Sequence, residues 1–199
     1  MTRTLYAVLL GAVIHFLWGW ASWAYIGWHK PTIDPIPNEA AFMSGLGSAA
    51  GNEKVYFFPG KPDEGATQEM RDKYTKQVTT GSYGLVMVNH AGMEPEGAQQ
   101  MGNGFLLELI STVMLVFVLV LTLPAQLTYL RRVFVILVMA LFAAATRDLL
   151  FWNWMGYPLY YTAINVADTV LGWTAAGLVI AALVKPSALA APGMTPAKA

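Results

Sequence analysis

Apolar positions along this chain gather into four long runs and leave one long polar stretch between the first and the second. The runs cover Leu5 to Ile26, Gly104 to Leu123, Val133 to Leu150 and Tyr160 to Val184. Each is about the 20 residues that a helix needs to cross a hydrocarbon core of roughly 30 Å. The pattern therefore predicts an all-α membrane bundle of four transmembrane helices, with a small α/β extracytoplasmic cap inserted between helices 1 and 2. The expected division is 1–28 for transmembrane helix 1, 29–103 for the cap, 104–184 for transmembrane helices 2 to 4, and 185–199 for a disordered cytoplasmic tail rich in Ala and Pro. The first run is too long for the apolar core of a secretory signal, and no small-x-small cleavage site follows it cleanly, so it reads as a retained helix.

The polar stretch carries its own pattern. Asn38 follows two prolines and is placed to cap a short helix beginning Glu39-Ala40-Ala41-Phe42-Met43, which Gly45, Gly47 and Gly51 should end. Lys54-Val55-Tyr56-Phe57-Phe58 is β-branched and aromatic, stops at Pro59-Gly60, and reads as a strand. A second helix is expected from Ala66 to Val78, with Glu69 and Asp72 early and Lys73 and Lys76 late, the order that complements a helix dipole. Tyr83 to Asn89 reads as a second strand, free to pair with the first.

Composition narrows the function classes. Hydrophobic residues make up 56% and charged residues 12%, about half the charged share of soluble proteins, and the formal charge is zero. No global basic field exists to attract nucleic acid, which excludes it as an expected partner. Cysteine is absent, which excludes disulfides, thiolate metal sites and thiol nucleophiles. The basic residues Arg3, Arg131, Arg132 and Lys185 fall at one end of the predicted bundle, with only Arg147 at the other. Positive charge near short loops stays cytoplasmic, so both termini are expected there and residues 29–103 in the periplasm of a bacterial inner (plasma) membrane. Trp23, Tyr25 and Trp28, and then Trp152, Trp154, Tyr157, Tyr160 and Tyr161, sit where aromatic rings meet headgroups.

Several short features, Trp18-Gly19-Trp20, Ser22-Trp23, Trp28-His29, Pro37-Asn38-Glu39, Val55-Tyr56 with Pro59-Gly60, and Phe151-Trp152-Asn153-Trp154 with Gly156-Tyr157-Pro158, recur together in one layout. In these the chain resembles bacterial four-helix inner-membrane proteins over nearly its whole length. The resemblance implies topology, and no activity, cofactor or site residue with it.

Candidate chemistry lies in the spans, where an ionisable side chain costs roughly 2.5–3.5 kcal/mol at the helix centre. His15, Glu108, Arg147, Asp148 and Asp168 qualify, with Asn165 beside Asp168. His15 falls near the middle of helix 1 and the others in the cap-side half. Gly11, His15, Gly19 and Ser22 form one helical stripe, and Asn165, Asp168, Gly172 and Ala176 another, so the two are expected to meet in a common interior. Arg147 is expected to pair with Asp168 or Glu108, the arrangement that most simply compensates a carboxylate removed from water. Three carboxylates against one arginine leave a surplus that could carry a proton or a cation.

Met87, His90 and Met93 offer soft and imidazole ligands that would suit Cu(I), a weak candidate metal site since neighbouring strand positions diverge and methionine more often packs. Only His15 is deep enough for haem ligation, which excludes a two-histidine haem within one chain. No nucleotide, zinc-protease or serine-hydrolase motif occurs, and no cofactor is expected. Sequence therefore points first to a non-catalytic accessory subunit, scaffold or assembly factor, in contact with the lipid bilayer and with a membrane protein partner or a second copy of itself. The alternatives are a carrier or channel for protons or small cations, built on Asp168, Glu108 and Asp148, and a periplasmic sensor.

Overall fold

The computed structural model describes residues 2–49, 51, 53–90, 92 and 97–186. Its elements in chain order are α1 (Thr2–Ala21), α2 (Glu39–Ala49), β1 (Lys54–Phe58), α3 (Gln68–Thr80), β2 (Gly84–Val88), α4 (Ala98–Leu121), α5 (Tyr129–Ala144), α6 (Leu150–Met155) and α7 (Leu159–Leu183). A π-helical turn, Ser22–Ile26, extends α1, and a second, Ala145–Leu149, joins α5 to α6 without a break. Four helices result that are long and apolar enough to cross a membrane: Thr2–Ile26, Ala98–Leu121, Tyr129–Met155 and Leu159–Leu183. Each begins before its apolar run in the sequence, because a helix continues into polar flanks as long as its backbone bonds are made, while Ala98–Leu121 and Leu159–Leu183 end one or two residues short of theirs.

Small residues set how closely the helices approach. A methyl group on Gly11 would lie 2.7 Å from Ile180 Cδ1 and 2.9 Å from Thr112 Cγ2, so α1, α4 and α7 meet where only hydrogen fits. Gly177 does the same for α7 and α5, its Cβ position lying 2.8 Å from Ile136 Cγ2. In lipid, where apolar burial gives helices no reason to associate, such close van der Waals contact is what holds them. Ala7, Leu119, Ile136, Ala176 and Ile180 form the fully buried centre between these crossings. The pairs α1–α7, α5–α7 and α1–α4 are closely packed, and the α4–α5 seam is sparse.

At the end that carries both termini, Arg132 is buried and donates from Nε to Ala181 O at 3.1 Å and from Nη1 to Leu127 O. Tyr129 Oη donates to Leu178 O. Arg132, counted in the sequence as an orientation signal, thus also closes the last turn of α7, where carbonyls lack intrahelical partners.

The cap follows its sequence pattern. Asn38 Oδ1 accepts from the Ala41 amide at 3.4 Å and starts α2. Thr67, rather than Ala66, caps α3, its hydroxyl accepting from Met70 N. The strands pair antiparallel, from Lys54 opposite Val88 to Phe58 opposite Gly84. The hairpin touches the bundle where Tyr83 lies against Gly156, whose φ of 70° and missing side chain make the outer turn between α6 and α7 tight enough to receive the ring. The expected tail, 185–199, lies mostly outside the described residues.

Candidate functional site

At the cap-side end of the bundle α1, α4, α7 and the second π turn enclose a cleft of about 460 Å³. All six polar residues singled out from sequence, His15, Glu108, Arg147, Asp148, Asn165 and Asp168, line it. Helical spacing explains the gathering, since the Gly11-His15-Trp18 face of α1 packs on the Gly172-Ile180 face of α7, Gly19 beyond it lines the open cleft, and Glu108 looks in from α4.

The pairing inside the cleft differs from the expectation. Arg147 bonds neither Asp168 nor Glu108; its Nε and Nη2 reach both oxygens of its neighbour Asp148 at 3.0 and 3.1 Å, and Nη2 also donates to Thr169 Oγ1 at 2.8 Å. Arg147 and Asp148 are neighbours in the π turn Ala145–Leu149, and the long arginine side chain reaches the carboxylate beside it. Histidines take the place assigned to arginine.

His15 Nδ1 lies 2.6 Å from Glu108 Oε2, and the imidazole stacks on Trp173 at 4.0 Å between ring centroids. Two acceptors cannot meet at that distance, so a proton lies between them. The far nitrogen, Nε2, is buried and has no hydrogen-bond partner among the described residues. Gly172 makes room for this ring and for Trp18: a Cβ there would come within 3.1 Å of His15 Nε2 and 2.6 Å of Trp18 Cδ1.

Asp168 is held by a second set. Trp18 Nε1 donates to Asp168 Oδ1 at 2.7 Å, and His29 Nε2 is 3.4 Å from Oδ2. His29 Nε2 also lies 3.1 Å from Ser22 Oγ, which accepts from Trp28 Nε1 at 2.7 Å. A proton on Nε2 points between Ser22 and Asp168 and leaves Nδ1 as a bare lone pair, the less costly group to bury without a partner. Trp23 stacks flat on His29, with planes 3° apart.

Sequence reasoning placed Ser22 on the interior stripe and missed His29, which is 1% exposed. Lying beyond the apolar run, it reads as loop. Gly27, at φ 71°, turns the chain back so that a residue seven positions after Ser22 returns to it. Trp28 was legible only as an interfacial aromatic and Trp18 only as part of the Trp18-Gly19-Trp20 run, since their N–H bonds depend on tertiary placement. Asn165 lines the cleft, but its amide donates to Tyr161 O in its own helix.

Met87 is 76% exposed on β2, His90 follows the strand with its backbone N–H on Glu53 Oε1, and Met93 lies outside the described residues. Among the described residues no three histidine or carboxylate side chains are grouped as metal ligands would be.

Counted by charge, the cleft lining holds three carboxylates and one guanidinium, and so two surplus negative charges while its imidazoles are neutral. Trp18, Trp23, Phe151, Tyr157 and Tyr161 supply aromatic surface around them. Comparison of the chain with protein-family models, with curated proteins and with solved structures gives no match.

Proposed function

We propose that this chain is a non-enzymatic integral protein of a bacterial inner membrane that binds a small cation in its cap-side cleft, in exchange for protons, as a carrier or receptor. The observation that carries the reading is the surplus of carboxylate over guanidinium in a cleft walled by aromatic rings, with Glu108 and Asp168 each held by an imidazole. A carboxylate beside histidine has two ways of being neutralised, by an imidazolium or by an arriving cation, and the two compete. Arg3, Arg131 and Lys185 at the termini end support cytoplasmic termini, with the cleft and residues 29–103 on the periplasmic side.

The test is calorimetric titration of the purified full chain in detergent with tetramethylammonium and with potassium, at two pH values. Saturable binding of either ion that weakens at the lower pH is the expected result, with Asp168→Asn losing about tenfold in affinity, equivalent to roughly 1.4 kcal/mol. The variant keeps an oxygen acceptor for Trp18, so its fold should persist. Absence of binding in the wild type, or undiminished binding in the variant, overturns the reading.

A second reading, an accessory subunit or scaffold, rests on the hairpin. Val55 and Met87 face each other across the strands and are 60% and 76% exposed, an apolar pair outside the bundle fit to meet another membrane protein or a second copy. Native mass spectrometry after mild extraction supports it by a partner lost in Met87→Lys, and counts against it by a lone chain.

A further inference from the structure

Directly below the cleft, on the same face of the bundle, the sparse α4–α5 seam opens into an apolar groove of about 220 Å³. Met114, Leu115, Ile136, Met139, Ala140 and Ala143 form most of its walls. Groove and cleft are stacked one helical turn apart. On α4, Glu108 of the cleft precedes Ser111 of the groove by three residues, and on α5 Ala143 precedes Arg147 by four. Their common wall is the stacked pair His15 and Trp173, the imidazole lining the cleft and the indole lining the groove.

We propose that the ligand is a membrane amphiphile, an alkyl-ammonium head with one hydrocarbon chain, which seats its head in the cleft and its chain in the α4–α5 groove. The proposal rests on the cation-binding reading above and adds to it the chain and the route. Charge selects the head, because the cleft carries surplus carboxylate and presents indole and phenol faces, the combination that attracts ammonium groups. Polarity selects the tail. The groove wall is hydrocarbon and thioether apart from Ser111 and the Trp173 indole, and from Ile136 to Ala143 it runs about 10 Å along the helix at 1.5 Å per residue.

Such a ligand needs no passage through the cap. It reaches the site sideways from the bilayer, with its head already at the depth of the cap-side interface and its chain already among lipid tails. At the depth of the cleft α1 and α7 are closed by the contact at Gly172, deeper in the bundle Gly11 and Gly177 close α1 and α5 onto α7, and among the described residues no glycine contact closes the α4–α5 seam.

Three probes separate this proposal from the reading beneath it: dodecyltrimethylammonium, which has head and chain, tetramethylammonium, which has the head alone, and dodecyl maltoside, which has an uncharged head on the same chain. Adducts are counted by native mass spectrometry on the full chain, as wild type, as Ala143→Phe, which fills the groove from an exposed wall, and as Glu108→Gln. The expected result is retention of dodecyltrimethylammonium over dodecyl maltoside, lowered about tenfold by either substitution, with tetramethylammonium lowered by Glu108→Gln only. Equal retention of tetramethylammonium and dodecyltrimethylammonium, or indifference of the latter to Ala143→Phe, overturns the amphiphile proposal and leaves cation binding standing. Failure of both ammonium probes overturns both.

Discussion

Replacing Gly172 by alanine adds one methyl group at the point where the candidate site depends on its absence. The new Cβ would lie 2.6 Å from Trp18 Cδ1 and 3.0 Å from Nε1, whereas carbon atoms rest at about 3.5–4.0 Å. The indole must therefore retreat from α7 by about 0.9 Å. Asp168 stands on that same face of α7, one turn earlier, so the retreat draws Nε1 away from Asp168 Oδ1, now at 2.7 Å, and from Asp168 O, now at 3.2 Å, and breaks the Trp18–Asp168 contact. A lost bond to a charged group costs about 1.5–3 kcal/mol, and the better helix propensity of alanine returns about 1 kcal/mol. Gly172→Ala should thus be destabilising by about 0.5–2 kcal/mol. Gly102, in α4, supplies the control, since a Cβ there meets nothing within 4 Å and Gly102→Ala should gain up to about 1 kcal/mol from propensity alone. Equilibrium unfolding in mixed detergent micelles, followed by tryptophan fluorescence, measures both. If the two alanine variants shift stability in the same direction and by the same amount, close packing at Gly172 does not hold Trp18 on Asp168.

Arg132→Met should destabilise the bundle by about 2–4 kcal/mol in the same assay, because it leaves the carbonyls of Ala181 and Leu127 without their donors; a change within about 0.5 kcal/mol would mean that water serves them equally well. Topology is open to direct labelling, since the chain has no cysteine of its own. Glu64→Cys should react with an impermeant maleimide in intact spheroplasts and Lys185→Cys only after lysis, and the reverse pattern would invert the proposed orientation.

What the sequence made legible was whatever depends on local repetition. Four apolar runs became four long helices, Asn38 capped α2, and Lys54–Phe58 paired with Gly84–Val88. The polar cluster was also legible, because a charged side chain in an apolar helix has few places to go, and His15, Glu108, Arg147, Asp148 and Asp168 all line one cleft. Who bonds whom was not. Arg147 was expected to reach across to Asp168 or Glu108, and it bonds its neighbour Asp148 and Thr169 instead. His29 was hidden by its position after the first apolar run, and its return depends on the left-handed Gly27, which pattern alone does not place. Regular helical periodicity foresees partners within an element and facing stripes between elements; it does not foresee a bond that depends on a break in that periodicity.

Those breaks have a consequence for how the chain tolerates change in length. Each residue of a regular helix advances the direction of its side chain by about 100°, and a π turn absorbs one more residue than a regular turn does. Removing a single residue from Ser22–Ile26 or from Ala145–Leu149 would let the helix regularise with the following side chains facing nearly as they do now, whereas removing one from a regular stretch would swing them by about 100° around the axis. Trp28 and His29 lie downstream of the first turn, and Phe151 and Tyr157 downstream of the second. The two turns are thus the places where either helix can lose one residue and still face the same groups toward the cleft. Residue number is a looser specification there than in the regular stretches around them.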